Sequence, residues 1–113
     1  MLKLVKIKYP FVEQPSIFKE RPALLLTKPF GKYNLVIVAF ITSQITEILP
    51  TDVLIKLSHR EFAKTGLAKD SVIKIHKLNS IEPKHILGIM GELPQDLDLE
   101  FKRKFKIIFT NCL

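Results

Sequence analysis

The sequence predicts a mainly β protein: a small twisted barrel or half-barrel of five or six short strands, with one amphipathic helix packed on it at the C-terminal end. Three observations carry that expectation. Apolar and polar residues alternate from Val5 onward and again from Ser71 to Leu78, which is the period of a half-buried strand. The run "LVIVAFI", Leu35 to Ile41, is continuously apolar, as a central strand covered on both faces would be. After Pro94 the apolar spacing changes to Leu97, Phe101, Phe105 and Ile108, which is helical. With 113 residues the chain reads as one domain, residues 1–113, with the barrel over about 2–92 and the helix over about 94–109.

The first strand places Val5, Ile7, Tyr9 and Phe11 on one face and Lys6 and Lys8 on the other, a wet, basic face. Residues 12–21, "VEQPSIFKER", contain Pro15 and no period, and read as a loop ending at Arg21-Pro22. Strands follow at about Ala23 to Thr27 and Leu35 to Thr42. They are joined by "KPFGKYN", whose Pro29, Gly31 and Asn34 are turn residues. Another strand, Asp52 to Leu57, follows the Pro50 break. "SHRE" then reads as a capping box with Ser58 as N-cap and Glu61 three residues later, opening a short helical turn that Gly66 closes. In "SVIKIHKL" Ile73 and Ile75 face one side, and Lys74 and His76 the other. A last strand is expected around His85 to Met90, before the helix with Lys102, Arg103, Lys104 and Lys106 between its apolar positions. That helical period assigns Phe101 and Phe105 to the core rather than to a nucleic-acid stripe.

The composition bounds function. A net charge of +7 and a pI near 9.6, in a chain rich in Leu, Ile, Val and Phe, exclude disorder and favour a polyanionic partner: nucleic acid, an acidic protein segment or an anionic membrane face. Cys112 is the only cysteine, so there is no internal disulfide and no cysteine-rich metal site. His59, His76 and His85 lack metal-ligand spacing, so neither a metal nor another cofactor is expected. The longest apolar run is about a third of a membrane span. Lysines interleaved through "MLKLVKIKYPF" are not tolerated by a signal-peptide core, so the chain reads as cytoplasmic.

Four places bear chemistry. Pro22 biases Arg21 to an extended backbone, and its planar, permanently charged guanidinium is what a phosphate requires. An arginine beside a loop is equally a solvated charge. Thr42, Ser43 and Gln44 end the central strand, where hydroxyl and amide groups donate to an oxyanion or simply cap the strand. His76 is the natural proton carrier and shares a face with Lys74, roughly 7 Å away by strand geometry. A lone strand histidine is also an ordinary surface residue. Lys6, Lys8 and Lys74 suit flanking phosphates or solvent alike, and His59 and His85 have no partner that the sequence identifies.

In order, "FKERPALLL", "FITSQI", "GLAKDSVIKIHKLNSIE" and "HILGIMGELPQDL" resemble the landmarks of the MazF/PemK/Kid family of toxin endoribonucleases from prokaryotic toxin–antitoxin systems. The resemblance runs from about Val5 to Phe109. It implies an SH3-like β-barrel of five to seven strands with a C-terminal helix, usually a homodimer. It also implies metal-independent cleavage of single-stranded RNA, and an antitoxin whose C-terminal segment lies over the RNA groove. The family's Arg-Pro arginine matches Arg21, which would hold the scissile phosphate. The hydroxyl residue of its Ile-Thr-x-Gln context matches Thr42, which would fix the orientation of that phosphate.

Two departures stand out. Many members carry Gly-Ser-Glu-Gln before Arg-Pro, whereas here Glu13-Gln14 lies further upstream and Ser16 occupies the position of that Glu. The loop resembles a shorter Ser-x-x-Lys-x-Arg-Pro variant, which makes Lys19 the notable RNA-binding candidate beside Ser43, Gln44 and Lys74. Where some members place an acidic group on the later strand, this chain has His76. Two competing readings come from other classes: a CcdB-like toxin that binds DNA gyrase, and a non-catalytic RNA-binding barrel.

Overall fold

The computed structural model describes residues 1–9 and 19–110; the expectations for Phe11, for residues 12–18 and for Cys112 lie outside them. Among these described residues six strands, β1 (Lys3–Tyr9), β2 (Lys19–Leu25), β3 (Val36–Thr42), β4 (Val53–Ile55), β5 (Ser71–Ile81) and β6 (Ile86–Glu92), precede one α-helix, α1 (Gln95–Thr110). The strands form a single antiparallel sheet in the order β4-β5-β3-β2-β1-β6, curled into a half-barrel. The expected mainly β barrel with a terminal helix is what the chain adopts.

Both faces of the curled sheet are packed. One face meets α1 and holds Leu4, Leu24, Ala39, Ile41, Ile55, Ile73, Ile75, Leu97 and Phe101. The other holds Val5, Ile7, Ala23, Val36, Val38 and Ile81. β3 feeds Val36 and Val38 to one cluster and Ala39 and Ile41 to the other, which is why its sequence is apolar throughout. On β1 the residue before Val5 is Leu4, fully buried against the helix side, so the wet face expected there is confined to Lys6 and Lys8. Full burial of each Val, Leu or Ile side chain in these clusters contributes about 1.5–3 kcal/mol.

Three elements differ from expectation. β2 begins at Lys19, so Arg21 and Pro22 belong to a strand paired with β1, at Ile7↔Arg21 and Lys6↔Pro22. Pairing with β3 begins only at Ala23. Pro22, which has no N–H to donate, therefore sits where β2 has an unpaired side. β4 is shorter than residues 52–57, because Asp52 turns its carboxylate inward and the Leu57 N–H donates to Asp70 Oδ1 at 2.6 Å. The capping box does not form. A 3-10 helix runs from Phe62 to Thr65 behind Glu61, without a side-chain cap, and Glu61 pairs with Lys64 instead.

Gly66 does close that turn, at φ 76°. A Cβ on Gly66 would lie 2.4 Å from the Met90 carbonyl oxygen, and one on Gly91 would lie 2.1 Å from that of Lys64. The 3-10 turn thus seats directly on β6. The β2–β3 connection is the expected tight turn, with Gly31 and Asn34 at positive φ and a Phe30↔Leu35 bridge.

The first turn of α1 is stapled to the sheet. Asp98 is buried, accepts the Leu2 N–H at 2.7 Å and pairs with Lys102 at 2.8 Å. Burial pushes its carboxyl up, but the Lys102 ammonium and the Leu2 N–H outweigh burial and hold it below the usual carboxylate range. His59, for which the sequence names no partner, accepts the Glu61 N–H on Nδ1 and presents Nε2 to both oxygens of Asp96 at 2.9 and 3.0 Å. Its proton therefore sits on Nε2. That hydrogen bond lowers the Asp96 carboxyl. Among the described residues no helix is long and apolar enough to cross a membrane.

Candidate active site

A groove of about 730 Å³ opens where β2 has lost its β3 partner, lined by residues of β1, β2, β3, β5 and the segment after β3. Arg21, Thr42, Gln44, Lys74 and His76 all line it. Lys19 and Ser43 are exposed but do not. Register accounts for the gathering. Ile7↔Arg21 and Ala23↔Phe40 place Arg21 on the same sheet face as the second apolar cluster, so the groove is the polar continuation of that face.

On β5 the gathering depends on an irregularity. Ala39 pairs with Leu78 and the next residue, Phe40, with Lys74, so Ile75, His76 and Lys77 have no counterparts on β3. This wide bulge turns the strand over. Lys74 shares the groove face with Phe40, Ile75 points into the core beneath α1, and Leu78 also packs against that core although it lies four positions, an even number, beyond Lys74. Consecutive residues His76 and Lys77 consequently both line the groove, followed by Asn79.

Local chemistry differs from residue to residue. The Thr42 hydroxyl oxygen accepts the Gln44 N–H at 3.1 Å, which fixes the oxygen and leaves its proton free to donate. Lys74 is committed: its ammonium, 12% exposed, donates to Asp52 Oδ2 at 2.7 Å. Asp52 lies beneath the groove, 2% exposed, and Oδ2 also accepts the Leu49 N–H at 2.8 Å. Its other oxygen, Oδ1, is buried without a hydrogen bond among the described residues, and His76 Nδ1 stands 4.0 Å away. Such an unmatched buried acceptor costs about 1–3 kcal/mol. Tyr9 and Phe40 meet edge to face at 5.7 Å on the groove wall, with Tyr9 41% exposed. Among the described residues no group of three or more His, Cys, Asp or Glu is placed to hold a metal ion.

Residues 3–109 match the PemK-like, MazF-like toxin family of type II toxin–antitoxin systems. The chain belongs to that family. Among solved structures, the Mycobacterium tuberculosis toxin MazF-mt6 superposes with a TM-score of 0.71 at 21% identity, covering 98% of this chain and 99% of that one. An endoribonuclease in complex with its cognate antitoxin, from Mycobacterial species, superposes with a TM-score of 0.66 at 10% identity, covering 98% and 94%. At these identities both likenesses speak for the PemK/MazF-like fold. No curated protein matches the sequence.

Within this PemK/MazF-like fold, sequence reasoning missed Asp52, Lys77, Asn79 and the Tyr9–Phe40 pair. Strict alternation from Lys74 and His76 assigns Lys77 to the opposite face, and only the bulge brings it round. Asp52 carried a readable signal: an acidic residue directly before the apolar Val53-Leu54-Ile55 is buried only with a partner. Glu47 also lines the groove.

Proposed function

We propose that this toxin is a metal-independent endoribonuclease that cleaves single-stranded RNA in the cytoplasm, mRNA included, and is held in check by a cognate antitoxin. The observation that carries the reading is the convergence of Arg21, Thr42 and His76, from three strands, on one groove with an exposed aromatic wall. Family membership supports it. So does the likeness to a solved chain described as an endoribonuclease in complex with its cognate antitoxin.

In this reading the ribose 2′-OH attacks the adjacent phosphorus and the bond to the 5′-oxygen breaks, leaving a 2′,3′-cyclic phosphate and a 5′-OH end. His76 takes the 2′-OH proton, and water in the open groove protonates the departing oxygen. The Arg21 fork and the Thr42 hydroxyl donate to the phosphorane oxygens as charge grows on them. Lys77, with Gln44 and Asn79, faces flanking phosphate and sugar, and Lys19 and Ser43 extend the basic rim. Tyr9 supplies a stacking surface for a base.

The active form in this reading is a homodimer. β6 is an edge strand that exposes Leu87 and, at 72%, Ile89, and a second copy is the simplest cover for such an edge. The deciding experiment is incubation of end-labelled single-stranded RNA with the protein in excess EDTA, followed by analysis of the ends. Cleavage with 5′-OH products is expected. Products bearing 5′-phosphate, or loss of cutting in chelator, would reject the mechanism, and retention of RNA without cutting would make the protein a binding barrel.

A further inference from the structure

We propose that Asp52 is a positioning residue that orients the His76 imidazole, an inference that rests on the reading of His76 as proton carrier. Asp52 is fixed from three directions. The Leu49 N–H and the Lys74 ammonium both donate to Oδ2, and Lys104 of α1 donates to the Asp52 backbone carbonyl at 2.7 Å while pairing with Glu100 at 3.1 Å. Those contacts use one carboxylate oxygen and leave the other, Oδ1, buried and unmatched among the described residues. His76 Nδ1 stands 4.0 Å from that oxygen.

Of the two groups, the histidine is the one with freedom to close the gap. Its side chain is 42% exposed and sits in the bulge, without a β3 counterpart to hold its backbone in register. Distances of this kind shorten when substrate fills a site. With Nδ1–H directed at Oδ1, the Nε2 lone pair turns to the groove, where a ribose hydroxyl would present its proton. Once the ring has taken that proton, the fixed carboxylate stabilises the imidazolium. The same carboxylate also holds Lys74, so it sets two groove residues at once.

Asp52→Asn tests this with little change of shape. The amide oxygen keeps the Oδ2 contacts with Leu49 and Lys74, so the NH₂ group faces His76 and donates to Nδ1, forcing the ring proton onto Nε2. Nitrogen-15 NMR of the protein bound to a single-stranded DNA oligonucleotide, which lacks the attacking 2′-OH, at a pH where imidazoles are neutral, should report Nδ1–H in the wild type and Nε2–H in the variant. RNA turnover should fall on the order of 10²-fold with RNA affinity nearly unchanged; the same exchange in a Ser-His-Asp triad costs about 10⁴. In a His76→Ala background Asp52→Asn should cost almost nothing further.

An unchanged tautomer would overturn the orientation. An undiminished loss in the His76→Ala background would show that Asp52 acts only through the fold. Wild-type cutting by His76→Ala alone would instead reject His76 as proton carrier, and with it the catalytic part of Asp52, even where the tautomer result held. If Asp52→Asn alone does not fold, Asp52→Asn with Lys74→Gln removes both buried charges together and is read, by the same NMR and turnover measurements, against Lys74→Gln.

Discussion

The Lys104 ammonium reaches from the C-terminal helix to the backbone carbonyl of Asp52, 2.7 Å away, so the helix holds from behind the residue whose carboxylate lies beneath the groove. That hydrogen bond adds a polar link to the apolar packing that couples helix docking to the groove. Lys104→Met keeps the aliphatic stem and removes the donor. The loss should be about 1.5 kcal/mol, the lower range for a hydrogen bond from a charged group. A denaturant midpoint equal to that of the wild type would show that the contact contributes nothing net.

Arg21 and Thr42 should separate chemistry from folding. Arg21→Ala should lower turnover by about 10² to 10³, the scale of one lost oxyanion donor, with a smaller effect on RNA affinity. Arg21→Lys should rescue poorly, because an ammonium lacks the bidentate fork. Thr42→Val deletes the hydroxyl and the Gln44 turn contact together, whereas Thr42→Ser keeps both. Loss in the first and near-normal cutting in the second are expected, with circular dichroism unchanged. Normal rates in Arg21→Ala and Thr42→Val would remove both from the mechanism.

Tyr9 should act on binding rather than on the chemical step. Base stacking on an aromatic ring is worth about 1–3 kcal/mol, so Tyr9→Ala should weaken RNA binding by about tenfold and leave saturated turnover within a few-fold. Tyr9→Phe should bind normally. Equal weakening in both variants would point to the hydroxyl instead of the ring.

Acid should loosen the junction between α1 and the start of β1. The folded Asp98 carboxyl titrates below its unfolded value of about 3.9. Its contribution is therefore complete above that value and is lost as pH falls through the lower folded one. Asp98→Asn should lower stability at neutral pH by about 1.5–3 kcal/mol, the worth of a hydrogen bond to a charged group, and flatten the acid limb of a stability–pH curve. A variant with the wild-type acid slope would assign that limb to other carboxylates, Asp96 first among them.

Ile89 is the residue with which to test pairing of two chains. Ile89→Glu puts a charge in the middle of the exposed edge strand β6. Sedimentation velocity at micromolar concentration should show a dimer for the wild type and a monomer for the variant, with thermal stability of the single chain little changed. A wild-type monomer that cuts RNA at full rate would refute the dimer.

Much of the fold was legible because it is written in local periods. Alternation located β1 and β5, the apolar run located β3, and the shift to Leu97, Phe101 and Phe105 located α1. Arg21, Thr42 and His76 were readable as chemistry-bearing side chains, and the register of β1, β2 and β3 explains why the first two face the same opening. What escaped depends on long-range contact. The burial of Asp52 is made tolerable by Lys74 on β5, and its backbone is held by Lys104 on α1. His59 gains its partner 37 positions along the chain, at Asp96. The capping box failed because Glu61, the residue meant to reach back, is drawn forward to Lys64.

The wide bulge in β5 gives that strand something like a reading frame. Residues before it and after it present opposite parities to the core, and the three unmatched residues, Ile75 to Lys77, make the switch. Substitutions there alter groove chemistry one side chain at a time. Loss of a single residue from the same stretch would instead leave two unmatched, and plain alternation from Lys74 would then carry Leu78 to the core and Asn79 outward with no switch at all. The groove would receive one side chain from the stretch in place of the consecutive pair His76 and Lys77. The odd length of the stretch is therefore what lets one strand present two neighbours to the same opening.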